Sequence, residues 1–383
     1  MSRRPSYFGL LLLLVALHPG CGSEGEGRPS RGPSGPVLFA VDSIRLLEAD
    51  TADTIGYPRA PVFDPFDGTF YVSDTYWKRV LRFDRGGRLL RVYGRPGAGP
   101  GEFGFNALVF VLDDSTVVVV DERANRLKFF DRQRGTYRRE RVFYPHGQTL
   151  SGSTVPVRIG DELWFPWVDP MERKALARWS LQEDSIQWLG AMPSDYHASR
   201  DGPVQSYANH MLIGSLTGTG RGLVRGWYPS NELFLYDLAG TVTDSVQVPA
   251  LRRRGTPDNL RYRYDVELIR DRLTINSVLS QLGTLPDGGI AITYHDQEIV
   301  STEGPLPALA AHVWLGVISP DLNRACVDTR VPASLDAMAA EAFRGDTLFV
   351  LDRRIVEDTR LETWLVLYRI ETRSCDWIPL RRR

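Results

Sequence analysis

Short runs rich in Val, Ile, Phe, Tyr and Trp recur along the chain, separated by polar turns that carry Gly, Pro, Asp or Asn. Within a run, apolar and polar residues tend to alternate, which is the period of a half-buried strand. Two such runs around a tight polar turn predict a β-hairpin. The clearest pair is Phe70–Asp84 (FYVSDTYWKRVLRFD) and Val117–Asp131 (VVVVDERANRLKFFD). They superpose at an offset of 47 residues, placing Asp74 on Asp121, Arg79 on Arg126, Phe83 on Phe130 and Asp84 on Asp131. A Gly/Pro-rich stretch without apolar periodicity, Gly94–Phe103 (GRPGAGPGEF), separates the two hairpins.

Looser hairpin signals follow: Glu162–Trp167 with Ala177–Leu181, Gly222–Trp227 with Glu232–Asp237, Gly289–Tyr294 with His312–Ser319, and Thr347–Asp352 with Trp364–Ile370. Taking Val72, Val119, Phe165, Val224, Ile292 and Val350 as equivalent, the steps are 47, 46, 59, 68 and 58 residues. Each unit is close to the roughly 40–50 residues of a four-stranded propeller blade, with insertions making up the excess. The pattern therefore predicts an all-β, six-bladed β-propeller of four-stranded antiparallel blades. The strand Val37–Leu47 falls outside the repeat count. It is expected to complete the last blade, near 340–380, so that the ring closes and leaves no sheet edge exposed there. Asp258–Gln281 mixes helical with strand spacing and reads as a partly helical insertion, near 252–281, before the fifth blade.

The first two hairpins resemble the NHL repeat. Gly99, Gly101, Glu102 and Phe103 match its Gly-rich G-E-F loop, and Asp121, Asn125, Arg126, Phe130 and Asp131 match its hairpin. The first copy carries Lys78 where the family has Asn, and Asn106 stands where the family has proline. The resemblance covers about 100 residues and implies a propeller; it does not imply an activity.

The N-terminus carries an address. Arg3 and Arg4 precede a ten-residue apolar run, Phe8–Leu17, and Gly20-Cys21 follows. Ten apolar residues are half of the roughly twenty needed to span a bilayer, so residues 1–20 read as a cleavable secretory signal. Cysteine after a small residue resembles the lipobox of bacterial lipoproteins, which implies that Cys21 is lipidated. His18 stands where that family has an aliphatic residue, which keeps plain secretion as the alternative. Residues 22–36 (GSEGEGRPSRGPSGP) cannot build a core and read as a flexible tether, with 37–383 as a single propeller domain.

Composition narrows the partners. Of 383 residues, 43% are hydrophobic and 24% charged, with a formal net charge of −1. That is too apolar for disorder and too balanced for a globally basic nucleic-acid binder. Three cysteines cannot frame a disulfide scaffold, and whether Cys326 and Cys375 pair is left open. The only lysines are Lys78, Lys128 and Lys174; this arginine bias reads as gene composition, not as an anion-binding specialisation.

Candidate chemistry is sparse. Asp74 and Asp121 end strands before tight turns, where a carboxylate accepts backbone N–H bonds, and Arg79 and Arg126 stand ready to pair with them or with a neighbouring blade. The Gly94–Gly101 loop lacks the Lys-Ser/Thr of a phosphate-binding loop and reads as a blade connector. His146, His197, His210, His295 and His312 show no zinc-helix spacing, and no G-x-S-x-G elbow occurs. The turns between second and third strands open on one face and carry Trp77, Lys78, Asn125, Trp167, Asp169, Trp227, Tyr228, Tyr294, His295, Asp296, Asp352 and Arg353. Aromatic residues interleaved with charge on a rim suit recognition; the alternative is that they pack between blades. The sequence thus reads as a cell-envelope binding or scaffold module for a protein, peptide or glycan, with no cofactor. The rival is a propeller hydrolase or lyase similar to gluconolactonase-type lactonases or a peptide-amidating lyase, with Ca or Zn in the channel. Its first candidates would be His295, Asp296, His146 and Asn125.

Overall fold

Six antiparallel sheets, each built around one of the repeating hairpins, form the blades of a ring. The computed structural model describes residues 34–47, 55–59, 61–104, 107–121, 126–142, 155–167, 169, 172–191, 214–219, 222–227, 231–253, 277–301, 308–333, 340–356 and 360–382. After β1 (Val37–Arg45), blade one comprises β2 (Val62–Phe63), β3 (Phe70–Asp74), β4 (Arg79–Phe83) and β5 (Leu89–Tyr93). Blade two is β6 (Ala107–Val111), β7 (Thr116–Asp121), β8 (Arg126–Asp131) and β9 (Tyr137–Val142). Blade three is β10 (Val157–Ile159), β11 (Glu162–Phe165), β12 (Lys174–Ser180) and β13 (Ser185–Ala191). Blade four is β14 (Gly214–Thr219), β15 (Gly222–Trp227), β16 (Glu232–Tyr236) and β17 (Val242–Gln247). Blade five is β18 (Ser277–Thr284), β19 (Ile290–Ser301), β20 (Ala308–Ile318) and β21 (Arg324–Arg330). Blade six takes β22 (Ala340–Arg344), β23 (Thr347–Val356) and β24 (Arg360–Glu371), and β1 is its outermost strand.

The six positions equated in the sequence all fall on second strands. β1 runs antiparallel to β24, from Val37 opposite Glu371 to Arg45 opposite Trp364, so the N-terminal strand closes the last blade as expected. No helix occurs among the described residues. Most of the expected insertion, 254–276, lies outside them, and Ser277–Gln281 is not helical but the start of β18.

The chain's end departs from the expected sixth blade. Past Glu371 it leaves that blade: β25 (Ile378–Pro379) adds to the edge of β21, and β26 (Arg381–Arg382) to the edge of β17. A disulfide between Cys375 and Cys326, with 5.7 Å between Cα atoms, fixes this strap to blade five. The incoming chain is held to the strap. Ser34 donates through its backbone N–H to Asp376 Oδ2 (2.6 Å) and through its hydroxyl to the Ser374 carbonyl (2.7 Å).

The core lies between blades, because both faces of each sheet meet a neighbour. Val118, Val120, Leu127 and Phe129 of blade two, for example, pack with Phe165, Trp167 and Trp179 of blade three. Burying such side chains contributes about 25 cal/mol per Å² of apolar surface. Strand alternation puts the second-to-third-strand hairpins and the blade-to-blade connectors on one face of the ring, here the hairpin face. The opposite face carries the remaining turns. There Arg132 of blade two reaches Asp64 (2.7 Å) and Asp67 (2.7 Å) of blade one, and Arg82 also bonds Asp67 (2.5 Å).

Candidate functional site on the hairpin face

The repeated Asp positions tie down the hairpin turns. Asp74 is fully buried; its Oδ1 accepts from the Tyr57 (3.1 Å) and Trp77 (3.4 Å) backbone N–H groups. Its Oδ2 accepts from the Gly56 N–H (3.2 Å) and from Arg79 Nε (3.3 Å). Asp121, its equivalent in blade two, is bonded differently. Its Oδ2 accepts from the Gly104 N–H (3.1 Å) and faces Lys128 Nζ at 3.1 Å, while Arg126 pairs with Glu140 of β9 instead. Lys128 sits two residues along β8 from Arg126, on the same side of the strand, and takes the place that Arg79 holds in blade one.

Of the four described aromatic residues expected on the rim, Trp77, Trp167, Trp227 and Tyr294, one is exposed. Trp77 is 40% exposed and packs edge-on to Tyr76. Trp167 is buried and stacked on Phe165 with centroids 3.8 Å apart. Trp227 is buried against the guanidinium of Arg225, whose pKa burial pulls down, and Tyr294 against that of Arg253, each at 3.7 Å. These three belong to second strands or their immediate continuation, where alternate side chains point between blades, so they pack rather than face solvent. Tyr294, His295 and Asp296 stand mid-strand, because β19 runs to Ser301; Asp352 and Arg353 likewise stand within β23. Asp169, Asp296 and Asp352 are buried, with Asp169 accepting from the Glu172 N–H (3.1 Å) and Asp352 from Arg354 Nε (2.9 Å). Asn125, Tyr228, His146, His197, His210 and Cys21 lie outside the described residues.

A pocket of about 580 Å³ opens on the hairpin face between blades one and two. Lys78 from the first hairpin, Gly97 and Gly104 from the blade connector, and Asp121, Arg126 and Lys128 from blade two line it. The connector is shaped by Glu102, whose Oε2 accepts from the Gly99 N–H (2.9 Å) and whose Oε1 accepts from Arg95 Nε (2.9 Å). These bonds hold the Glu102 carboxyl below its usual pKa. Gly97 has φ of 152°, and a side chain there would collide with Glu102, so the turn needs glycine. Lys128 Nζ also donates to the Glu102 carbonyl, its one hydrogen bond among the described residues. Asp121 Oδ1 is buried and accepts no hydrogen bond; such a group costs about 1–3 kcal/mol unless something supplies a donor. Lys78, held at φ 52°, has no hydrogen-bond or ion-pair partner among the described residues. Sequence reasoning places Lys78 on the binding face and Asp121 and Arg126 in the repeat, but does not foresee the pocket or the part Lys128 plays in lining it.

Nearer the first strands of blades five and six, His295 Nε2 lies 2.5 Å from Glu341 Oε1. Burial pushes the His295 pKa down, but the Glu341 charge and hydrogen bond outweigh it and hold the imidazole above its ordinary value. Among the described residues, no three His, Cys, Asp or Glu side chains gather into a metal-holding group; His146 and Asn125, two of the expected channel candidates, lie outside them.

The chain matches no protein-family model and no curated protein. Its fold is that of solved propellers. A member of the DUF4221 family from Bacteroides vulgatus aligns with TM-score 0.61 and 13% identity, over 89% of this chain and 99% of that one. A Bacteroides fragilis protein described as exported aligns with TM-score 0.51 and 11% identity, over 88% of this chain and 97% of that one. At these identities the likeness concerns the fold alone.

Proposed function

We propose that this chain is an exported, envelope-tethered propeller that acts as a binding module through its hairpin face. The pocket between blades one and two carries the reading: it sits on that face, and the unpartnered cation Lys78 beside it adjoins the exposed Trp77. Its volume falls within the roughly 300–1,000 Å³ of small-molecule sites. Export rests on the signal-like residues 1–20, and the similar Bacteroides fragilis protein is itself described as exported. Val37 pairs with Glu371, at the end of β24 away from its hairpin, so β1 begins on the face opposite the pocket. The partner is an envelope protein, peptide or glycan, with no nucleic acid involved.

A ligand that binds the folded chain raises its melting temperature. The chain is screened by thermal shift against envelope glycans, peptides and small acids, then again as Lys78→Glu and as Arg85→Glu, a change on the opposite face. A ligand whose shift disappears only in Lys78→Glu supports the reading. Shifts lost only in Arg85→Glu, or no ligand at all, contradict it.

A further inference from the structure

We infer that the pocket between blades one and two takes a singly charged, hydroxyl-bearing carboxylate of about sugar size, such as a uronic acid, free or at the end of an acidic glycan. This rests on the hairpin face being the binding face. Charge balance sets the first requirement. Lys128 is paired with Asp121, and Arg126 with Glu140, so among the described lining residues Lys78 is the charge without an ionic partner. One surplus cation complements one anion, and a carboxylate is the group an ammonium meets as a point charge.

The second requirement comes from the pocket floor. Asp121 Oδ1 is buried without a donor among the described residues, and Lys128, only 2% exposed, spends one N–H on the Glu102 carbonyl, keeping donor capacity beside its ion pair with Asp121 Oδ2. A vacant acceptor beside a spare donor matches a hydroxyl, which both gives and receives a hydrogen bond. A plain fatty or aryl carboxylate does not satisfy this pair together with Lys78, because it brings no O–H, and inorganic phosphate, whose monoanion does, is too small to fill the pocket. The pocket volume of about 580 Å³ leaves room for a sugar ring with a substituent.

Titration calorimetry on the full chain in mild detergent tests this with three probes of similar size: methyl glucuronoside (acid and hydroxyls), methyl glucoside (hydroxyls alone) and cyclohexanecarboxylate (acid alone). The glucuronoside is expected to bind at least tenfold more tightly than either of the others. Lys78→Ala should reduce it to the level of the glucoside while leaving the melting temperature unchanged, since Lys78 makes no hydrogen bond or ion pair among the described residues. A diuronate that binds more tightly than the monomer assigns the ligand to an acidic glycan; equal affinity assigns it to the free acid. Equal binding of all three probes, binding of none, or a Lys78→Ala chain that binds like the parent overturns the inference. If the thermal-shift screen yields a hairpin-face ligand of another kind, the binding-face reading survives and the ligand class alone falls.

Discussion

His295 Nε2 lies 2.5 Å from Glu341 Oε1, and the pair joins the second strand of blade five to the first strand of blade six. Glu341 also accepts from Ser280 Oγ (2.7 Å) and Thr293 Oγ1 (3.2 Å), so its buried carboxylate knits two blades together. Net of burial, Glu341 holds the His295 pKa above its ordinary 6.5. A group whose folded-state pKa is raised contributes stability that is complete below its unfolded pKa and lost as pH rises through the folded one. The melting temperature is therefore expected to decline as pH climbs above about 6.5, and His295→Gln should flatten that decline. Melting curves taken between about pH 6 and pH 9 check it; a parent chain with the same slope as His295→Gln contradicts it.

The strap should contribute substantially to stability. Cys326 and Cys375 are 49 residues apart, and closing a loop of that size stabilises a fold by about 2–4 kcal/mol, chiefly by restricting the unfolded chain. Cys375→Ser, or mild reduction of the parent, is expected to lower stability by that amount in chemical denaturation. Reduction of the Cys375→Ser chain should then change nothing further.

Arg132 and Asp64 form a buried pair between blades one and two. Arg132→Met removes the nearest cation from a buried carboxylate, leaving Arg82 3.9 Å away, and is expected to cost about 3 kcal/mol. Replacing both residues by apolar ones should recover part of that loss, because no charge is left uncompensated. Denaturant midpoints of the two single variants and the double variant measure the coupling; strict additivity would contradict a direct interaction.

The two tryptophans that look alike in sequence should behave oppositely. Trp77→Ala, at a position 40% exposed, should shift stability by no more than about 0.5 kcal/mol. Trp167→Ala empties a buried site stacked on Phe165 and should cost about 3–5 kcal/mol. Thermal melts of both variants decide the point.

That contrast marks how far the sequence is legible. Alternation and hairpin turns are local properties, so the six second strands around Val72, Val119, Phe165, Val224, Ile292 and Val350 could be read directly, as could the closing strand Val37–Arg45. Which alternate face of a strand is covered depends on the neighbouring blade, so the sequence leaves Trp167, Trp227 and Tyr294 either on the rim or packed between blades, and the structure packs them. The strap was hidden for a related reason. Two-residue strands such as Ile378–Pro379 carry no period, and their partners β21 and β17 lie far back in the chain. Pairing of Cys375 with Cys326 follows only once that path is known. The pocket was hidden because Lys78 and Lys128 are 50 residues apart and each is ordinary in its own strand or turn; only the scarcity of lysine hinted that the positions were special.

The most direct test of the central claim uses that scarcity. With three lysines, amine acetylation read by mass spectrometry reports on Lys78, Lys128 and Lys174 individually. Lys128 is buried and should stay unlabelled, while Lys78 and Lys174 react. In the presence of saturating methyl glucuronoside, Lys78 is expected to lose at least tenfold in labelling rate while Lys174, in blade three, is unchanged. Lys78 labelling that does not respond, or protection of Lys174 in its place, would contradict a binding site between blades one and two.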